Sequence, residues 1–275
     1  MDYRLAAQLE PLDEMGIKLR RLILTAVASS GRGHIGPSMS ILEVISTLYN
    51  DIMQHRPKEP DWNERDVFLL SKGHGCLALY AVLAQQGYFP IAELKTFCEF
   101  NSRLGGHPEW HSLPGVEFST GSLGHGLAVA VGIAKAFKLK GSTQRVFVVL
   151  GDGELGEGSI WESAMHASKH SLSNLFVIVD FNSMQAYGKL DAVLPLGDLN
   201  LKLKAFGFNV IEINGHARND ILRLKGISKD INMPTAVIAH TIKGKGISVA
   251  ENAIEWHHKA KITDSEVTKM LAGLN

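Results

Sequence analysis

The sequence predicts an α/β fold, a mostly parallel β-sheet flanked by helices on both faces. Three observations predict it. Five short apolar runs, rich in β-branched residues, are spread along the chain. Most are continuous rather than alternating, as in strands covered on both sides. Helix-like segments separate the last four, and a strand–helix–strand rhythm builds parallel sheets.

The elements follow in order. Leu19, Leu22, Ile23, Ala26 and Val27 have helical spacing and predict an early amphipathic helix. It should end near SSGRGHIGPS, where glycine and proline break the pattern. A second helical stretch, SILEVISTLYNDIM, follows. The expected strands are residues 67–70, 145–150, 175–180, 210–213 and 235–239, with helices over 159–169 and, more briefly, 199–206. The chain has 275 residues, enough to bury a proper core, and shows no repeat or long flexible linker. We therefore expect one domain over residues 1–275, with N-terminal helices to about residue 60 and an α/β core over about 61–260.

Composition narrows the class. Twenty-eight basic residues balance 28 acidic ones, so no broad attraction to nucleic acid or an anionic membrane is expected. Any bound anion must be held locally. Cys76 and Cys98 form no ligand-spaced pair, and a reducing, cytoplasmic setting is the simple expectation. The opening MDYRLAAQLEPLDE has acids and a proline where a signal peptide would carry a basic and then an apolar run. No apolar stretch has the length to span a bilayer.

The chemistry centres on two loops. GDGELGEG ends the 145–150 run, and the 175–180 run leads into Phe181 and Asn182. Asp152 and Asn182 are about thirty residues apart, the length of one βαβ unit. Both loops therefore fall on the sheet edge where ligands of such folds bind. Asp152 offers a carboxylate and Asn182 an amide oxygen, hard ligands suited to Mg²⁺ or Ca²⁺. Gly151 and Gly153 would let the backbone turn tightly and approach a ligand. A helix starting just after Gly153 would point free amide donors at a phosphate. GDG after a strand is also a common plain turn. Paired with Asn182 it points to a diphosphate–metal site, a reading shared by other phosphate-binding folds.

The extended run GDGELGEGSIWESAMHASKHSLSNLFVIVDFNSMQAYG resembles the signature of thiamine-diphosphate enzymes, and of transketolases in particular. That resemblance implies the thiamine-diphosphate-binding (PP-domain) fold. It implies that Asp152 and Asn182 hold the metal with their side chains and Met184 with its backbone carbonyl. Gly151, Gly153 and Glu154 fall in the cofactor-binding stretch, with Gly153 meeting the diphosphate through its backbone. Glu157 matches an acidic residue that meets a glutamate of the partner chain, and a carboxylate favoured by a helix N-terminus is its plainer reading.

Twelve histidines is a high count. Imidazole donates hydrogen bonds to phosphate and hydroxyl oxygens and moves protons near neutral pH. His34 in SSGRGHIGPS and His107 in NSRLGGHPE resemble transketolase histidines that contact the sugar. His74 in LLSKGHG resembles one close to the diphosphate. His257 in IEWHHK resembles one bridging diphosphate and substrate, with His258 an alternative register. Lys243 in HTIKGKG matches a lysine near the diphosphate in some members, or is an exposed turn lysine. STGSLGHG resembles the loop that holds the aminopyrimidine ring, through Gly121 and Leu123. Many members carry proline at Ser122 and glutamine at His125, which leaves a side-chain role for His125 open.

A full-length transketolase continues into pyrimidine-binding and C-terminal domains, and this sequence stops soon after His257. The resemblance thus implies a split enzyme, two copies of this chain with two of a partner that carries the pyrimidine-binding half. Its reaction would be transfer of a two-carbon ketol unit from a ketose, phosphorylated or otherwise modified, to an aldose. Three other readings are the α-subunit of a thiamine-diphosphate-dependent 2-oxoacid dehydrogenase, a non-catalytic regulatory subunit that binds the cofactor, and a metal-dependent phosphohydrolase using Asp152.

Overall fold

A computed structural model describes residues 2–227 and 231–274. The five strands are β1 (Val67–Leu70), β2 (Val146–Gly151), β3 (Leu175–Phe181), β4 (Asn209–Asn214) and β5 (Thr235–His240). All are parallel, in the order β1-β2-β3-β5-β4. Each covers one of the five expected runs, with ends shifted by one residue at most. The register places Gly151 beside Asp180 and Asp180 beside Ala239. The last residues of β2, β3 and β5 are thus level, and the loops that follow them open onto one edge.

The helices are α1 (Tyr3–Leu9), α2 (Glu14–Ser30), α3 (Ile35–Thr47), α4 (Cys76–Gln86), α5 (Gly126–Leu139), α6 (Gly158–Lys169), α7 (Leu190–Val193), α8 (Leu199–Ala205), α9 (Arg218–Ile221) and α10 (Asp264–Ala272). Helix α2 is the expected amphipathic helix. The Asp13 carboxylate caps it, accepting from the Gly16 amide at 2.6 Å, and Gly31 ends it with φ 63°. Helix α3 starts inside the segment expected to be a break. Pro37 sits in its first turn, where a missing N–H costs nothing. The helix then widens into a π-turn over Leu48–Ile52.

Strand residues alternate between two apolar clusters. Phe68, Leu70, Phe147, Val149, Phe176 and Ile178 pack toward α2, α3 and α4. Val67, Leu69, Val146, Val148, Val177 and Val179 pack toward α5, α6 and α8. Each such side chain contributes roughly 1.5–3 kcal/mol when fully buried, so both faces anchor the strands rigidly beneath their loops. Among the described residues no helix is long and apolar enough to cross a membrane.

Candidate active site

Asp152 follows β2 directly and is buried. Its Oδ1 accepts from the Gly153 amide at 2.7 Å and its Oδ2 from the Ser183 amide at 2.5 Å. The two loops expected to meet are therefore joined by the carboxylate itself. Asn182 is buried alongside, its Oδ1 accepting from the Met184 amide at 3.0 Å. The helix expected just after Gly153 is instead a 3-10 turn over Gly153–Gly156, and α6 begins at Gly158. The cause is local: Asp152 caps its own turn and takes up the Gly153 amide. Gly153 has to be glycine, since a Cβ there would stand 2.8 Å from Gln185 Cγ. At Gly151 an added Cβ would meet only an ordinary contact at 3.8 Å, so the close approach expected there is not required.

Beneath these residues lies an ion pair the sequence did not reveal. Lys72 and Asp180 are fully buried and paired through Lys72 Nζ and Asp180 Oδ2. Lys72 Nζ also donates to the Pro37 carbonyl at 3.1 Å, and Asp180 accepts from Ser40 at 2.5 Å and from Thr241. Burial pushes the Asp180 carboxyl up, but the Lys72 ammonium and these hydroxyls reverse that and hold it below its ordinary value. Asn182 Nδ2 donates to Asp180 Oδ2 at 3.3 Å, which turns the amide oxygen away from the core. Breaking a buried pair strands the remaining charge, so Lys72→Met is expected to cost about 3–5 kcal/mol in denaturant unfolding.

The site fits a divalent cation. Burial, then the nearby Asp180 charge, push the Asp152 carboxyl up to about 7. Among the described residues Asp152 forms no ion pair, so its ionised form lacks a counter-charge that a cation would supply. No three His, Cys, Asp or Glu side chains among the described residues form a metal cage. A cation between Asp152, the Asn182 oxygen and the Met184 carbonyl would fill its shell from ligand oxygens and water, which is the habit of Mg²⁺.

The histidines converge on the same edge. The His34 ring centroid lies 5.9 Å from His74, 5.5 Å from His107, 5.8 Å from His257 and 4.5 Å from His258. Burial is the main cause that lowers all four of His34, His74, His107 and His257, aided by neighbouring cationic or imidazole groups. His34 and His257 fall to about 3. Neutral rings each keep one N–H donor and one lone pair, as hydroxyl recognition requires. His257 is half-buried with Nδ1 2.8 Å from Lys243 Nζ, whereas His258 is exposed at the rim. Lys243 is no exposed turn lysine: it is 1 % exposed and donates to the carbonyls of Met184 at 3.3 Å and Gln185 at 3.2 Å. Burial, then Lys72, lower its ammonium to about 8.

A cleft of about 180 Å³ joins these parts. It brings together His74, Leu123, Gly151, Asp152, Gly153, Glu154, Asn182, Met184, Lys243 and His257. His34 and His107 stand beside it through their ring contacts. Gly121 and Glu157 are exposed and do not line it, and His125 is exposed at the start of α5. A roomier groove of about 770 Å³ between α2 and α3 lies elsewhere. Its Glu43 is already committed to Arg20 and to His216 at 2.8 Å. Sequence reasoning missed Lys72, Asp180, Ser71 and Gln185 as parts of the site. A charge adjoining a wholly apolar strand, as Lys72 and Asp180 both do, was the available signal.

Residues 13–274 match the family described as "Transketolase, thiamine diphosphate binding domain". The chain belongs to the transketolase family. This transketolase chain is 42 % identical over 252 residues to one of the two halves of the apulose-4-phosphate transketolase of Actinobacillus succinogenes, covering 91 % of each. It is 39 % identical over 247 residues to "6-deoxy-6-sulfo-D-fructose transketolase subunit SqwG" of a Clostridium species, covering 90 % of each. It matches the human transketolase at 35 % identity over 92 % of its own length but only 40 % of that protein. The crystal structure of the transketolase from Campylobacter jejuni superposes with a TM-score of 0.87 at 30 % identity, covering 95 % of this chain and 42 % of the other. The expected fold and family are thereby borne out: the chain is the thiamine-diphosphate-binding, N-terminal part of a transketolase, an enzyme of the transferase class.

Proposed function

We propose that this chain is one PP domain over residues 1–275, which works in the cytoplasm with a separate chain carrying the pyrimidine-binding half, two copies of each. Together they move a two-carbon ketol unit from a ketose, phosphorylated or otherwise modified, to an aldose. One observation carries the reading: Asp152 and Asn182 are side by side at a cleft rimmed by neutral histidines, in a chain matching two-fifths of a one-chain transketolase. Two relatives named as transketolase subunits match it nearly end to end.

Thiamine diphosphate, when bound, supplies the carbanion chemistry. The chain's own residues would hold and orient it. Asp152, Asn182 and the Met184 carbonyl would take Mg²⁺, or Ca²⁺ in its place. His74, Lys243 and the backbone of Gly151 and Gly153 would face the diphosphate, with Gly121 and Leu123 toward the ring. His34, His107 and His257 would donate to substrate hydroxyl and carbonyl oxygens and share proton transfers. Glu157, exposed beside α6, would face the neighbouring chain.

The test is an assay of the chain alone and with its partner half, each with thiamine diphosphate, Mg²⁺, a ketose donor and an aldehyde acceptor. Ketol transfer is expected only from the pair. Robust turnover by the chain alone would remove the split-enzyme reading, and acetyl transfer to lipoamide would move it to the 2-oxoacid dehydrogenases.

A further inference from the structure

We infer that Glu154 is a positioning residue that sets the width of the cleft by tying its Leu123 wall to the Asp152 turn. The inference rests on the functional reading above and deepens it. Glu154 is 1 % exposed and meets no basic side chain among the described residues. Its carboxylate is spent on three donors from three separate segments. Oε1 accepts from the Gly124 amide at 2.9 Å and from the Ser71 hydroxyl, and Oε2 from the Gly151 amide at 3.1 Å. Ser71 follows β1, Gly151 ends β2, and Gly124 precedes α5, so one side chain fastens all three.

The fastening is two-sided at Gly124. Its amide goes to Glu154, and its carbonyl accepts from Ser159 Oγ at 2.8 Å. Its φ of 84° suits glycine, and a Cβ would stand 2.7 Å from Glu157 Cβ. The peptide next to Leu123 is thus clamped to both ends of the segment that begins at Asp152. Ser71 is held in turn, since its hydroxyl oxygen accepts from the Gly126 amide at 3.2 Å. Only a carboxylate suits this place, because every partner is a donor. A glutamine would turn its NH₂ toward Gly151 or toward Gly124 and Ser71, setting donor against donor.

The consequence separates two ligands. Inorganic pyrophosphate with Mg²⁺ needs only the Asp152–Asn182 end of the cleft. Thiamine diphosphate must also reach the Leu123 wall. Calorimetry on the chain assembled with its partner half tests this, with both probes on wild type and Glu154→Gln. Thiamine diphosphate affinity is expected to fall about 10–100-fold, the usual effect of a group that orients ligating residues, with pyrophosphate affinity changed less than about threefold. Ser71→Ala, which removes one donor and leaves the carboxylate, should shift the same ratio in the same direction by less, and serves if Glu154→Gln does not fold. Equal losses for both probes would make Glu154 a direct ligand or a mere fold element and overturn the inference. An unchanged ratio in both variants would overturn it too. Failure of wild type to bind either probe would instead overturn the functional reading, and this inference with it.

Discussion

Asp152→Ala is expected to lose at least about 100-fold in Mg²⁺-dependent affinity for thiamine diphosphate, because even groups one step behind a metal ligand are worth roughly 10–100-fold. Asp152 is the one charged side chain in the proposed ligand set, and its two oxygens join the GDG turn to the Asn182 loop through Gly153 and Ser183. Neither Asn182 nor the Met184 carbonyl can replace that charge. Calorimetry with and without Mg²⁺ gives the measurement. Thermal unfolding supplies a second readout. Ligand at 100 times its Kd stabilises a protein by about 2.7 kcal/mol, and this increment should vanish in the variant. Unchanged affinity would show that the cation is held elsewhere.

His107→Ala should behave in the opposite way. Its ring stands 5.5 Å from His34 and outside the set lining the cofactor cleft. It is half-buried, and burial, then His258, keep its imidazole neutral near pH 7. Its position suits a substrate hydroxyl better than a phosphate. Turnover is expected to fall about 10²–10⁴-fold, the range of a positioned acid–base group. Cofactor affinity should change less than about threefold, since no cofactor contact is removed. Steady-state kinetics of the assembled enzyme, beside a cofactor titration, separate the two quantities. Loss of affinity with turnover preserved would move His107 into the cofactor shell.

The strands were legible because each is a continuous β-branched run, a pattern that only strands covered on both sides need. The Asp152–Asn182 pairing was legible for the same reason, since one βαβ unit carries both. Helix α4 was not. Residues from Cys76 to Ala84 are buried all round, which leaves no amphipathic period to read. The start of α3 was misplaced because Pro37 signals a break anywhere except a first turn. Lys243 and His257 were named but left open between exposed and ligand-facing positions. Tertiary burial decides that question, and one sequence carries no direct record of it. The Lys72–Asp180 pair escaped notice because its members are 108 positions apart and neither belongs to a motif.

The level ends of β2, β3 and β5 divide the molecule into two unequal rims. Every group assigned a chemical duty here hangs from one rim, on backbone fixed by strands locked between two apolar layers. The return segments at residues 140–145 and 171–174 lie at the opposite rim, a strand's length away. Insertions or deletions there would change the outline of the protein but leave its reacting geometry undisturbed. Drift in chain length among descendants should therefore accumulate at that far rim.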